Sequence, residues 1–403
     1  MYTWMWLISG GIALSSAGLW AQDFNARAPH GSEQQPAFAQ QTRALQIQDQ
    51  TKLVAEVIAQ DLEHPWGMSQ LPDGRWLVTE RPGRLRLITA AGQVSEPIQG
   101  LPVVDARGQG GLLDVVVKPD FTQTRQLWWS YAEPRSSGNN ATAVATGYLS
   151  ADERTVEKVR VIFQQQPAWD STLHFGSRLV FDSEGRLFVT TGERSVRAAR
   201  GLAQDLTTHL GKVLYLDPQS GAGMNPPIAA NALAEIWSYG HRNIQAAALD
   251  QTGQLWTVEH GPRGGDELNQ PQRGLNYGWP IISYGTEYTG FDVGKGLTAH
   301  EGMEQPVYYW DPVIAPSGMS FYDHDLFTGW RHSLLIGALG GQALVRLVID
   351  NNRVVGEARY LQGWSRIRDV EVAQDGSVMV LTDAKNGALV RLRPDYALGT
   401  KKP

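Results

Sequence analysis

From Val54 onward one pattern recurs: a turn carrying Asp, Gly or both, an apolar run of about five residues, a second turn, then often a second run. The first copy is PDGRWLVTERPGRLRLI, Pro72 to Ile88, in which Arg84, Leu85, Arg86 and Leu87 alternate polar and apolar as an antiparallel strand requires. Further copies stand at Thr124 to Pro134, Ser183 to Arg194, Thr252 to Pro262, His332 to Leu347 and Gln374 to Leu392, making six. Each copy is a hairpin-like unit that cannot bury both faces alone, so repeated sheets packed around a common axis are the natural solution. The expected fold is all-β, a six-bladed β-propeller with four-stranded antiparallel blades. A pair of orthogonal β-sandwiches is the competing arrangement. Unequal spacing of the copies places long insertions between strands, and loops on a rigid scaffold are where binding residues collect.

Composition agrees with this pattern. Forty-three glycines, fourteen tryptophans and many short apolar runs in 403 residues favour strands, and no long helical periodicity appears. A formal charge of −6 without a concentrated basic stretch argues against nucleic acid or anionic membrane and for a small-molecule partner. The absence of cysteine excludes disulfides, thiolate metal sites and thiol nucleophiles. Residues 1–21 are apolar and read as an export signal, with an uncleaved anchor as the alternative. Residues 22–50, rich in Gln, Ala and Arg, are expected to form a disordered linker, 51–395 the propeller and 396–403 a tail.

Five stretches carry candidate chemistry. EHGPRGGDELNQPQRGLNYGWP, Glu259 to Pro280, combines carboxylates with glycines that permit positive φ and a proline that donates no hydrogen bond. Its carbonyls, with Asp266 and Glu267, are suited to a hard cation such as calcium; the plain alternative is an acidic turn. HFGSRL offers His174 as a proton acceptor or as a packing histidine. GHRNIQ sets Arg242 beside Asn243, either a fork for an oxyanion or a solvated turn. Arg366 and Arg368 in SRIRDV lie at strand spacing and call for an anion, with Asp369 on the opposite face; a cationic edge strand is the alternative. Gln109 stands in the glycine-rich start of GQGGLLDVVVKPDF, as a ligand contact or a turn residue. Dinucleotide, zinc-helix, nucleophile-elbow and phosphate-loop motifs are absent.

Taken in order, GQGGLLDVVVKPDF, HFGSRLVF, GHRNIQ, EHGPRGGDELN with GLNYGWP, IAPSGMSFY and RIRDV closely resemble the soluble pyrroloquinoline-quinone (PQQ)-dependent sugar dehydrogenases. The likeness is nearest to their aldose sugar dehydrogenase branch and spans about residues 54 to 393. It implies a quinone lying over the upper face of the propeller, calcium (Ca2+), and oxidation of aldoses at the anomeric carbon to lactones. Electrons would pass to an external acceptor. By this resemblance His174 is the general base and Arg242 faces the quinone carbonyl that accepts hydride. Gln109, Asn243, Tyr288, Arg366 and Arg368 are cofactor contacts. Gly261 and Pro262 hold the catalytic calcium through their carbonyls, and Glu267 and Tyr277 hold calcium in the neighbouring loop. Two positions depart from the family pattern: Leu173 stands where the glucose-specific branch has an aspartate, and Gly340 where the family often has a lysine. The expected partners are an aldose and an electron acceptor, with no nucleic acid and no membrane span after processing. The expected state is a monomer or homodimer, periplasmic or secreted. A calcium-dependent lactonase on the same scaffold, or a non-catalytic binding propeller, are the alternatives.

Overall fold

A computed structural model describes residues 24–31, 34–49 and 51–395. Twenty-three strands form six antiparallel sheets around one axis. Five sheets have four strands; in the first blade three strands are joined, at the fourth position, by single bridges from Val94 and Ile98. Every hydrophobic repeat in the sequence supplies the second strand of a different blade: Trp76–Glu80, Gln126–Pro134, Leu187–Thr191, Leu255–Glu259, Ser333–Ala338 and Val378–Thr382. Five of these six strands are buried along their whole length, as β-branched and aromatic residues between two neighbouring blades should be.

The innermost strands, Pro65–Gln70, Leu112–Val117, Gly176–Phe181, Ile244–Leu249, Pro316–Tyr322 and Ile367–Val372, meet one another in a ring. The last blade is completed by the first strand of the propeller, Leu53–Leu62, paired antiparallel with Gly387–Pro394. Six apolar clusters fill the gaps between adjacent blades, one for each gap. Tryptophans serve as wedges there: Trp128 of the second blade meets Phe181 of the third edge-on at 4.9 Å, and Trp256 of the fourth meets Phe321 of the fifth at 5.9 Å. On the axis Arg178 bridges Asp114 at 3.0 Å and Asp369 at 2.9 Å, tying three inner strands together over the ring of Trp66.

The expected linker is not a loose tether. Its described residues pack along the outer edges of the fourth and fifth blades: Tyr309 N–H donates to Gln41 O at 2.8 Å, Ile47 N–H to Glu357 O and Glu357 N–H to Leu45 O. Ala44 is buried between the fourth and fifth blades, and the Asp49 carboxylate accepts from Arg346, Trp330 and Tyr360. Composition misled because this segment has no core of its own. It is held by polar bonds to an existing edge, which needs few large apolar residues. The expected signal 1–21 and tail 396–403 lie outside the described residues.

Candidate active site

Inner strands all start at one end of the ring, and the candidate residues stand at those starts. His174 and Arg242 each lie two residues before an inner strand, Gln109 three before, and Arg368 is the second residue of the sixth blade's inner strand. Because strands within a blade are antiparallel, the exit of each second strand returns to the same end. That return brings in partners the motifs did not show.

His174 adopts φ +49° and is buried. Its Nδ1 lies 2.8 Å from Glu193 Oε1, two residues beyond the second strand of the third blade, and its backbone N–H donates to Gln109 Oε1 at 2.9 Å. Gly176 beside it needs positive φ and no side chain, since a Cβ would stand 2.6 Å from Thr191 Cα. Burial, together with the Arg242 cation, pushes the imidazole down to about 4 against the opposing pull of Glu193. Burial opposes ionisation of Glu193, yet its bond with His174 holds its pKa below the usual range. Glu193 therefore does the orienting that Leu173, 39% exposed, cannot. With Nδ1–H given to Glu193, Nε2 keeps its lone pair and has no partner among the described residues.

Arg242 is buried, donates from Nη1 to His260 O at 2.8 Å and lies 5.1 Å from the Trp279 ring. Its backbone N–H is held by Glu259, which also takes His241 Nδ1 at 3.0 Å. Asn243 accepts the Gly176 N–H at 3.2 Å, joining this pair to the His174 loop. Arg368 Nη1 donates to Gln245 Oε1 at 3.1 Å, which ties the sixth blade to the fourth. Between Arg242, Arg368 and His174 sits His260, its Nε2 on Pro316 O at 2.7 Å, pushed down to about 3 by burial.

One sequence expectation needs correction here. Asp369 does face away, onto Arg178, but Arg366 and Arg368 are not free: Asp383 lies 2.8 Å from the first and 3.5 Å from the second. Asp383 follows directly on the second strand of the sixth blade, the same kind of exit position as Glu193. Tyr288 is 72% exposed at the tip of a turn closed by Glu287 N–H on Phe291 O, with no bond or ring contact to the other candidates. Gly340 follows Leu339, whose carbonyl accepts from Arg366 Nη1 at 3.4 Å, so the cation beside that position comes from Arg366.

The loop after Glu259 also resolves. Gly261, Pro262, Glu267 and Tyr277 line one depression with Arg242 and Glu259. Asp266 is not at the cavity's service. Its carboxylate accepts three backbone N–H groups, from Gly261, Ile314 and Ala315, each at 2.8 Å, and shapes the turn. Gly264 and Gly265 have positive φ as expected, while Gly261 does not. Glu267 has one hydrogen-bond partner, Asn269, and is raised well above the carboxylate range by burial and by Glu259.

Residue pattern and fold can be set against known proteins. A profile of the glucose/sorbosone dehydrogenases matches residues 62–391. The chain belongs to this family. It is 44% identical to the aldose sugar dehydrogenase YliI of Escherichia coli (strain K12) over 346 residues, 84% of this chain and 92% of that one. The apo crystal structure of the Escherichia coli soluble aldose sugar dehydrogenase superposes with a TM-score of 0.80 at 41% identity, covering 85% of this chain and 100% of the other. Quinoprotein glucose dehydrogenase B of Acinetobacter calcoaceticus is 25% identical over 407 residues, 81% of this chain and 85% of that one. This glucose/sorbosone dehydrogenase is thus a sugar-oxidising oxidoreductase of the aldose sugar dehydrogenase type. Among its described residues no helix is long and apolar enough to cross a membrane.

Proposed function

We propose that the enzyme oxidises the anomeric carbon of aldoses to lactones with bound PQQ and calcium, passing the electrons to an external acceptor in the periplasm or outside the cell. The observation that carries this reading is the His174–Glu193 pair set against donors that have no acceptor. Arg242 Nε, Asn243 Nδ2 and Arg368 Nε are all buried and unpaired. Orphaned donors of this kind fit a carbonyl-rich anionic group, because leaving them unsatisfied costs roughly 1 to 3 kcal/mol each. A cation fits the neighbouring depression equally well. Among the described residues no three His, Asp or Glu side chains could share a metal, but the carbonyls of Gly261, Pro262 and Tyr277 accept no hydrogen bond, and Glu267 lacks a compensating charge.

In the reaction, His174 Nε2 takes the proton of the anomeric hydroxyl while Glu193 holds the Nδ1–H and steadies the imidazolium. Arg242, fixed by His260 O and by Glu259 on its backbone, brings a positive charge beside the acceptor. Gln109 fixes the His174 backbone, and Arg366 and Arg368, each sharing Asp383, provide the face for carboxylates. When bound, the calcium-polarised quinone supplies the two-electron sink for the hydride leaving the sugar carbon.

The test is reconstitution of the purified protein with PQQ and calcium, followed by aldose-dependent dye reduction. Turnover should need both additions, and the holoprotein should show the visible absorption of a bound quinone. No turnover on any mono- or disaccharide would remove the proposal.

A further inference from the structure

We infer that the segment preceding the propeller positions the cation loop, so that its contacts set calcium affinity; this rests on the calcium reading just given. The segment lies outside the span matched by the family profile, which begins at residue 62. Its Asp311 contacts are specific: the His30 and Gly31 backbone N–H groups each donate to that carboxylate at 2.9 Å, and Arg43 Nη2 donates to the Asp311 carbonyl at 3.0 Å. Three residues further on, Gln34 Nε2 donates to Gly285 O at 3.2 Å.

Asp311 and Gly285 are the two walls of the Gly264–Gly265 turn. A Cβ on Gly264 would stand 2.8 Å from Asp311 Cγ, and one on Gly285 would stand 2.3 Å from Gly264 O and 2.9 Å from Pro262 Cδ. The turn is bonded to the first wall by Gly265 N–H on Trp310 O at 2.9 Å. The segment therefore holds both walls of the turn, three bonds on the Asp311 side and one on the Gly285 side, behind the residues that line the depression. Hydrogen bonds at the far end, on Asp49, fasten it to the fifth blade instead. A loop whose carbonyls must converge within a few tenths of an ångström on a cation gains affinity from such pre-positioning.

Full-length protein carrying Gly31→Pro with Gln34→Ala loses one donor to Asp311 and the hold on Gly285 while leaving both walls in place. Removing Gln34 also clears the contact that the proline ring would meet. Calcium affinity is read by titration calorimetry without quinone, alongside the unfolding midpoint in chelator. The expected result is calcium binding weakened about tenfold, through the loss of one charge-assisted and one neutral hydrogen bond, with little change in the chelator midpoint. Gln34→Ala alone should move affinity the same way by less. Asp49→Ala, at the far anchor, should lower the midpoint and leave calcium affinity as in the wild type. Unchanged affinity in the double variant of a calcium-binding protein overturns the inference, as does an equal loss in Asp49→Ala. A wild-type protein that takes up no calcium overturns the calcium reading itself.

Discussion

A histidine that takes a proton from an alcohol has to be neutral at the working pH, and the surroundings of His174 arrange this. With the imidazole at about 4, the acid limb of kcat/KM should fall near pH 4 instead of near 6.5, measured with saturating cofactor. His174→Ala should lower kcat by about 10²- to 10⁴-fold while the holoprotein spectrum remains. Glu193→Gln removes the anion that raises the imidazole, so the acid limb should move lower still as kcat drops. The same shift has a stability consequence. His174 at about 4 and His260 at about 3 both lie below the ordinary value, so as pH falls from about 6.5 the unfolded chain gains protons first. Stability should decline through that window, and a series of urea melts would show it. His174 was legible because it sits in a motif before a strand, whereas Glu193 is 19 residues on and Asp383 17 residues beyond Arg366. Those intervals are hairpin lengths, and only the antiparallel return turns them into contacts.

At the scale of the element, the loop from Glu259 to Tyr277 separates two kinds of carboxylate that look alike in sequence. Asp266 and Glu267 are adjacent on a strand and point to opposite faces, so one becomes a backbone clasp and the other lines the cavity. Periodicity predicts the split but not which residue takes which role, because that depends on N–H groups 48 and 49 residues away. Calcium at a hundredfold excess over its Kd should stabilise the protein by about 2.7 kcal/mol, seen as a higher midpoint than in chelator. Glu267→Gln should abolish most of that gain while leaving the chelator midpoint no lower, since it also relieves repulsion with Glu259. Asp266→Asn, by contrast, should destabilise the protein with or without calcium. Residues 24–31 and 34–49 show where composition fails: a polar segment without its own core is ordered by the edge it meets.

For the whole molecule, the six repeats made blade number readable, since each marks the second strand of a different blade. The order of blades around the axis follows from the chain, but the axial ion cluster does not. Asp114, Arg178 and Asp369 come from three blades and meet only when the ring is closed. Arg178→Met leaves two buried carboxylates without their cation and should cost roughly 3 to 5 kcal/mol in denaturant titration. The loss should be smaller in an Asp114→Asn, Arg178→Met, Asp369→Asn triple variant, because no bare charge is left behind.

Leu53–Leu62 finds its partner only in Gly387–Pro394, and Asp395 N–H closes on Lys52 O at 2.8 Å. A nascent chain emerging from the ribosome therefore carries an orphan strand until Gly387–Pro394 has been made, and a message cut short upstream of that strand yields a gapped circle with two raw edges. Conversely, the start and finish of the propeller are neighbours in space, so a peptide linker could splice them and new ends be opened at a solvent-facing turn such as that of Gly253 without breaking the circle.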